Sequence, residues 1–369
     1  MTGATLAPPA PGERPPQVRR RPVVGPIVRT VLGVAVVVGI AVSAPRWGAD
    51  LTALRPTFAA LGWEDVAALA LASGWNMLTY WFLMVAALPG LRLGQAALSN
   101  QASTAVSSTV AGGGAVAAGV TFAMYRSWGF STAEFALSTL ASGAWTVVVK
   151  LAVPIVAVAP LALVGHRHPV LVGSAQVGAA AFVVLGVVAV LLLRDARLAR
   201  RAGEWAARVV ATVRARARRG HGRSSAADWG VLALGVRRDA LVLLRDRWRP
   251  LTATAVASHA SLFAVLLLSL RLVGVTDAQL GWEQVLAAFA FVELLSAIPI
   301  TPGAVGVAEL GYAATLSVGL APGLGGRVAA AVLLYRAVTY LPPIPIGVAC
   351  LLVWRRRTRG MHMPPPATS

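Results

Sequence analysis

Lysine is almost missing from this chain. Lys150 is the only one in 369 residues, so the formal net charge of +19 is carried by arginine. Acids are scarce too, 14 Asp and Glu together, and Cys350 is the single cysteine. One cysteine excludes an internal disulfide framework and any multi-cysteine metal site. The five histidines (His166, His168, His221, His259 and His362) lack the HExxH kind of ligand spacing, and His166 and His168 flank Arg167 as in a solvated turn. The sequence also lacks a P-loop, a Rossmann glycine fingerprint and a Ser/His/Asp arrangement. Its longest polar stretch is too short for a conventional catalytic domain. No catalytic residue, metal or cofactor is expected.

What the chain does have is apolar sequence: 57% of residues are hydrophobic, 13% are charged, and the mean hydropathy is +0.71. A soluble protein needs more polar surface than this to cover its core. Runs of about 18 apolar residues or more read as helices able to cross a hydrocarbon layer roughly 30 Å thick. Apolar segments lie near 23–44, 63–88, 96–123, 132–164, 169–193, 250–273, 282–300, 304–320 and 328–353. The expected fold class is all-α, a polytopic transmembrane bundle of about seven to nine membrane segments. Its parts are a disordered arm (1–22), a membrane domain (23–355) and a short tail (356–369). The membrane domain divides into halves at 23–193 and 250–355, joined by a basic linker at 194–249.

That linker carries fifteen arginines against five acids. Leu198, Trp205, Val209 and Val213 recur in it at helical spacing, a pattern that suits a helix in the interface on anionic lipid. Arginines also cluster at 19–21 and 355–357. Basic residues at the ends of apolar runs follow the positive-inside rule, so nucleic acid is not the expected partner. The rule places the N-terminus, the linker and the C-terminus in the cytoplasm of a bacterial-type inner membrane.

An even number of crossings must then separate arm and linker, yet five apolar segments lie between them. Segment 96–123 is the most polar of the five, with Asn100, Gln101, several Ser and Thr, and Gly112-Gly113-Gly114. It is expected to be a re-entrant hairpin broken near the glycines, since broken backbone is tolerated where protein or water satisfies it. The alternative is an ordinary span, with 132–164 split in two. A second break is expected in Ile298-Pro-Ile-Thr301-Pro302-Gly303-Ala-Val-Gly306-Val-Ala-Glu309, where prolines remove donors and glycine admits positive φ. A helix starting there would point its N-terminal N–H groups into the bilayer. The string Gly-Ala-Val recurs at both breaks, a match that chance also supplies in a chain rich in these residues; paired broken helices in two halves are nonetheless a signature of inverted repeats.

Charges inside apolar runs need a reason. Glu293 and Glu309 flank the second break, and Arg336, in the last span, is the expected partner of Glu309. Such a pair either holds helices together or binds a phosphate and exchanges partners. Arg126 either meets a lipid phosphate or anchors its helix end. Lys150 is expected to snorkel, and Trp75, Asn76, Tyr80 and Trp81 to pack or to sit at the membrane boundary.

The run from Glu293 to Val353 resembles the lysylphosphatidylglycerol synthase transmembrane-region family, also called flippase-like domain proteins. The likeness rests on the Pro302-Gly303-x-x-Gly306-x-x-Glu309 string, on Leu334-Tyr335-Arg336 and on Tyr340-Leu-Pro-Pro-Ile-Pro-Ile-Gly347. It extends to Ser99-Asn100, Gly112-Gly113-Gly114-Ala-Val and Tyr125-Arg126-Ser-Trp-Gly129. This chain departs from the family in having Ala304 after Gly303, where Pro-Gly-Gly is usual, and Val110-Ala111 where a proline is common. No segment looks like the synthases' aminoacyl-transfer domain, so synthesis of lysyl-lipid is not expected. The resemblance implies movement of lipids or lipid-linked saccharides across the bilayer, with an anionic phospholipid or polyprenyl-phosphate-linked substrate. The implied substrate contacts are Asn100, Gly113, Gly114, Arg126, Glu293, Thr301, Pro302, Gly303, Gly306, Glu309, Tyr335 and Arg336. Two other readings stay open: a non-catalytic membrane partner of a separate glycosyltransferase or lipid-modifying enzyme, and an intramembrane glycosyltransferase.

Overall fold

The computed structural model describes residues 58–109, 113–163, 169–216, 226–296, 304, 306–316 and 323–358. The arm at 1–22 and the first apolar segment, 23–44, lie outside the described residues. Those described are helical, with no strand among them. In chain order the helices are α1 (Trp63–Ala87), α2 (Leu93–Thr109), α3 (Gly113–Ser127), α4 (Thr132–Leu163), α5 (Pro169–Arg194) and α6 (Ala196–Arg216). Then come α7 (Ala226–Leu272), α8 (Trp282–Ser296), α9 (Val307–Leu316), α10 (Gly325–Tyr340) and α11 (Pro343–Thr358).

Local chemistry sets many of the ends. The Gly62 N–H donates to Asp65 Oδ2 at 2.9 Å at the start of α1, and the helix stops at Leu88, in extended conformation before Pro89. Ser131 and Glu134 cap α4 reciprocally: the Ser131 N–H donates to Glu134 Oε2 at 2.7 Å, and the Glu134 N–H to Ser131 Oγ at 3.1 Å. Asp195 caps α6 by accepting from the Arg197 N–H at 2.7 Å.

Among the described residues, four stretches are long and apolar enough to cross a membrane: Trp63–Ala87, Thr132–Pro160, Asp228–Leu272, and Gly325–Thr358, which takes α10 and α11 together. A fifth arises only if α5 and α6, bent from each other by 109°, count as one span. These helices are compatible with a membrane protein. Most of the remaining expected segments are short helices. Segment 96–123 is divided between α2 and α3, of 17 and 15 residues, and 282–320 between α8 and α9, of 15 and 10. A single helix needs about 20 residues to span the hydrocarbon layer. None of these four reaches that length.

Each of the two pairs folds back on itself. A Cβ on Gly113 would sit 2.7 Å from the carbonyl oxygens of both Val106 and Ser107, so α3 begins pressed against the last turns of α2. A Cβ on Gly311 already overlaps Val292 at 2.8 Å, bringing α9 against α8. Segment 96–123 is thus two short helices packed against each other, with residues 110–112 outside the described ones.

The linker differs from its expected outline. Helix α7 runs unbroken through the 249/250 boundary, with Pro250 inside it, so the last basic stretch and the following apolar one are a single helix. The core is built on this helix. Leu251 and Ala255 pack with Leu83 and Ala87 of α1 and Val149 of α4, while Val265 and Leu266 pack with Phe289, Tyr312 and Tyr335 of α8, α9 and α10. A polar seam crosses between α1 and α7, where Asn76 Nδ2 donates to Ser258 O and Ser261 Oγ, both at 2.9 Å. Such bonds hold helices together where apolar surface alone would not discriminate lipid from protein. Asn76 is thus a cross-helix tie. Outside the core, α5 turns Val183, Val184 and Val187 outward, as a lipid-facing helix would.

Candidate functional site

Two buried ion pairs mark the region around the second break. Arg336 Nε donates to Glu309 Oε1 at 2.7 Å, joining α10 to the first turn of α9. The other carboxylate oxygen, Oε2, accepts from the Gly306 N–H at 2.7 Å. Glu309 therefore caps the helix with one oxygen and holds the arginine with the other. That gives the Gly306-x-x-Glu309 spacing a physical basis: a carboxylate three positions on reaches back to an N–H left unpaired at the helix start. The Arg336 guanidinium also lies over the Tyr340 ring, 5.1 Å from its centroid, a cation–π placement.

Glu293 does not join this pair. Its Oε2 lies 3.0 Å from Lys150 Nζ, and the same ammonium donates to Ser296 Oγ at 2.9 Å. His259 Nε2 stands 4.0 Å from the same carboxylate oxygen, while its Nδ1 lies 3.0 Å from Ala255 O. Lys150 thus does not snorkel; its side chain is 19% exposed and turned to α8. Three helices, α4, α7 and α8, meet in this cluster. The sequence shows that a charge in an apolar run needs a counter-charge, but not which acid supplies it. No comparable signal marked His259.

Tyr335, also expected at the site, is buried edge-on against Tyr312 with ring centroids 5.6 Å apart. Tyr312 and Tyr335 pack with Val292, next to Glu293, and α9 presses on Val292 at Gly311, so the two ion pairs lie in one region. Thr301, Pro302 and Gly303 lie outside the described residues.

The first break is arranged differently. Gly113 is buried at the start of α3, Gly114 is exposed, and Asn100 is half-buried on α2. Arg126 is exposed and donates from Nη1 to Phe130 O at 3.0 Å, closing the end of its own helix. The structure brings Gly306, Glu309 and Arg336 together; Glu293 and Tyr335 are neighbours of that group, and Arg126 forms no bond to it. Much of the polar character of α2 is used locally. Ser99, Ser107 and Thr109 donate to carbonyls one turn back, a habit of Ser and Thr in helices. Gln101 donates to Met77 Sδ at 3.2 Å.

Ala304 stands in the break with φ 52°, the left-handed region that disfavours a side chain. Glycine adopts this conformation without penalty. Ala304→Gly is expected to stabilise the chain by up to about 1 kcal/mol, the relief of strain being partly offset by the freer unfolded chain. A higher apparent Tm in detergent would show it; a fall would mean that the break does not hold Ala304 in this conformation.

Among the described residues no three His, Cys, Asp or Glu side chains gather to hold a metal ion. Compared with family models, curated proteins and solved structures, the chain matches none.

Proposed function

We propose that the chain moves an anionic lipid headgroup across a bacterial-type inner membrane, with the Glu309–Arg336 pair as the point where the headgroup binds. The observation that carries this reading is the pair itself. A guanidinium is held in the interior by a carboxylate, at the start of a helix whose N-terminal N–H groups favour negative charge. A phosphate makes the same kind of charge-assisted bonds to arginine as a carboxylate does. A headgroup entering there displaces Glu309 from Arg336, and Glu309 keeps its bond to the Gly306 N–H while it waits.

The fold supports this reading in two ways. Two hairpins of short helices, α2–α3 and α8–α9, stand in the two halves of the chain, the arrangement expected of paired re-entrant segments related by an inverted repeat. Of the residues that carry the family resemblance, Glu309 bonds to Gly306 and Arg336. In this reading the N-terminus, the arginine-rich linker and the C-terminus face the cytoplasm. The substrate is an anionic phospholipid or a polyprenyl-phosphate-linked saccharide, whose tails stay in lipid while the headgroup crosses.

Purified protein in proteoliposomes is expected to move fluorescent phosphatidylglycerol between leaflets. Arg336→Gln, with Glu309→Gln as its companion, is expected to slow that movement on the order of tenfold or more, since losing one charge-assisted bond is worth about 1.5–3 kcal/mol. Unchanged rates in both variants would refute the assignment. Absence of transport by the wild type, with a glycosyltransferase copurifying in stoichiometric amount, would favour the partner-protein reading instead.

A further inference from the structure

The proposed headgroup site leaves the arginine-rich helix α6 unexplained, and its three faces have distinct chemistry. At about 100° per residue, Leu198, Trp205 and Val209 fall within roughly 40° of one another. Arg197, Arg201 and Arg208 form a second row about 80° round the helix from that stripe, and Ala199, Gly203 and Ala207 a third face on its other side.

Among the described residues, only the third face is covered. A Cβ on Gly203 would come within 2.6 Å of the Trp229 carbonyl oxygen and 2.7 Å of Ala233 Cβ, so α6 and the first part of α7 touch backbone to backbone. Ala199 and Ala207 are buried beside that contact. The apolar stripe has no such cover: Leu198 is 37%, Trp205 63% and Val209 39% exposed. The arginine row is exposed as well. Glu204, the one acid on α6, is engaged by Arg200 at 3.1 Å, so the row carries more positive charge than the helix can neutralise.

We infer that α6 is an anionic-lipid-binding helix that beds Leu198, Trp205 and Val209 into a leaflet while Arg197, Arg201 and Arg208 contact lipid phosphates. Three features select lipid over a protein partner. The helix leaves α5 at 109°, close to a right angle, so if α5 crosses the bilayer α6 lies nearly in its plane. The stripe follows directly on the outward apolar residues of α5, among them Val188 and Leu191. An apolar stripe flanked by arginines is also what an interfacial helix needs: acyl chains take the tryptophan and aliphatic side chains, and guanidinium groups meet the phosphate layer. This surface does not depend on the headgroup site, and binding is read here without any transport measurement.

The test places a Trp205→Cys substitution in a full-length Cys350→Ala chain, labels it with an environment-sensitive NBD probe, and inserts the protein into nanodiscs. One set of discs holds phosphatidylcholine alone, the other also about a third phosphatidylglycerol. The expected result is blue-shifted emission and slow reduction by aqueous dithionite in the anionic discs, with less shielding in the neutral ones. Joint replacement of Arg197, Arg201 and Arg208 by Gln is expected to abolish the difference between the two lipids. A label open to dithionite in both discs overturns the inference. So does shielding that is equal in both lipids and indifferent to the triple replacement. Shielding that persists in dilute detergent and rises with protein concentration would assign the stripe to a second copy of the chain and overturn it too. Circular dichroism and elution volume, unchanged in the triple variant, would confirm that these exposed replacements leave the fold intact.

Discussion

Glu293→Gln is expected to lower unfolding stability by about 3 kcal/mol or more, the low end of the cost of breaking a buried ion pair from one side. Lys150 and its carboxylate are 3.0 Å apart, inside three packed helices. Removing the negative charge strands the ammonium among apolar side chains, with Ser296 Oγ as its remaining bonded partner. His259 adds no anion and, when protonated, adds repulsion. The low end of the range applies because Lys150 retains some exposure to solvent. Lys150→Met in the same chain removes the stranded charge, so the double variant is expected to recover most of the loss. Replacing both members of a buried pair by neutral groups is often nearly neutral in energy. Denaturant-induced unfolding in mixed micelles, followed by circular dichroism, measures Glu293→Gln, Lys150→Met alone and the double variant. Strictly additive single-variant losses would mean that the two residues do not depend on each other.

Gly347→Leu is expected to be nearly as damaging, for steric rather than electrostatic reasons. Gly347 lies where α11 crosses α2, and even a Cβ there would overlap the Gln101 carbonyl oxygen and come within 2.6 Å of Ala105 Cβ. Backbone on one side and a small residue on the other leave nothing flexible to move aside. Overpacking a well-filled site costs typically 1–3 kcal/mol and sometimes more. Small residues at helix crossings are the usual means of close approach in membrane proteins. The matching control is Gly74→Ala on α1, where an added Cβ meets no atom within 4 Å. That change is expected to be neutral or to stabilise by up to about 1 kcal/mol through helix propensity. Comparable falls in Tm for both variants would mean that α11 does not press on α2 at Gly347.

Much of the helical framework is legible in the amino-acid sequence. Apolar runs in segments such as 63–88 and 132–164 leave the backbone no water to bond with in a bilayer, and an apolar helix satisfies its own N–H and C=O groups. The break before α9 was legible from Pro299, Pro302 and Gly303, because proline removes a donor and glycine releases the backbone. The Glu309–Arg336 pair was legible as well, since an acid beside the break and an arginine inside the last span have few other partners in apolar sequence. The span count was harder to read: hydropathy does not reveal that 96–123 is divided between two helices, of 17 and 15 residues, too short to cross. The polar residues of α2 suggested a lined cavity, yet several of them bond to carbonyls within their own helix. The 249/250 boundary was marked by a change in charge that the helix ignores, because arginine is a good helix former and Pro250 does not end α7.

By itself, the sequence determined that this chain is helical and apolar, where its second break falls, and which charges need a counter-charge. These follow from sterics and desolvation acting within a turn or two of chain. Tertiary structure alone decided that Lys150 meets Glu293 and His259, that Gly203 and Gly347 are points of backbone contact, and that the Trp205 stripe is left uncovered. Those outcomes depend on which distant helices pack side by side, and partner choice at that range is not written in any local pattern of residues.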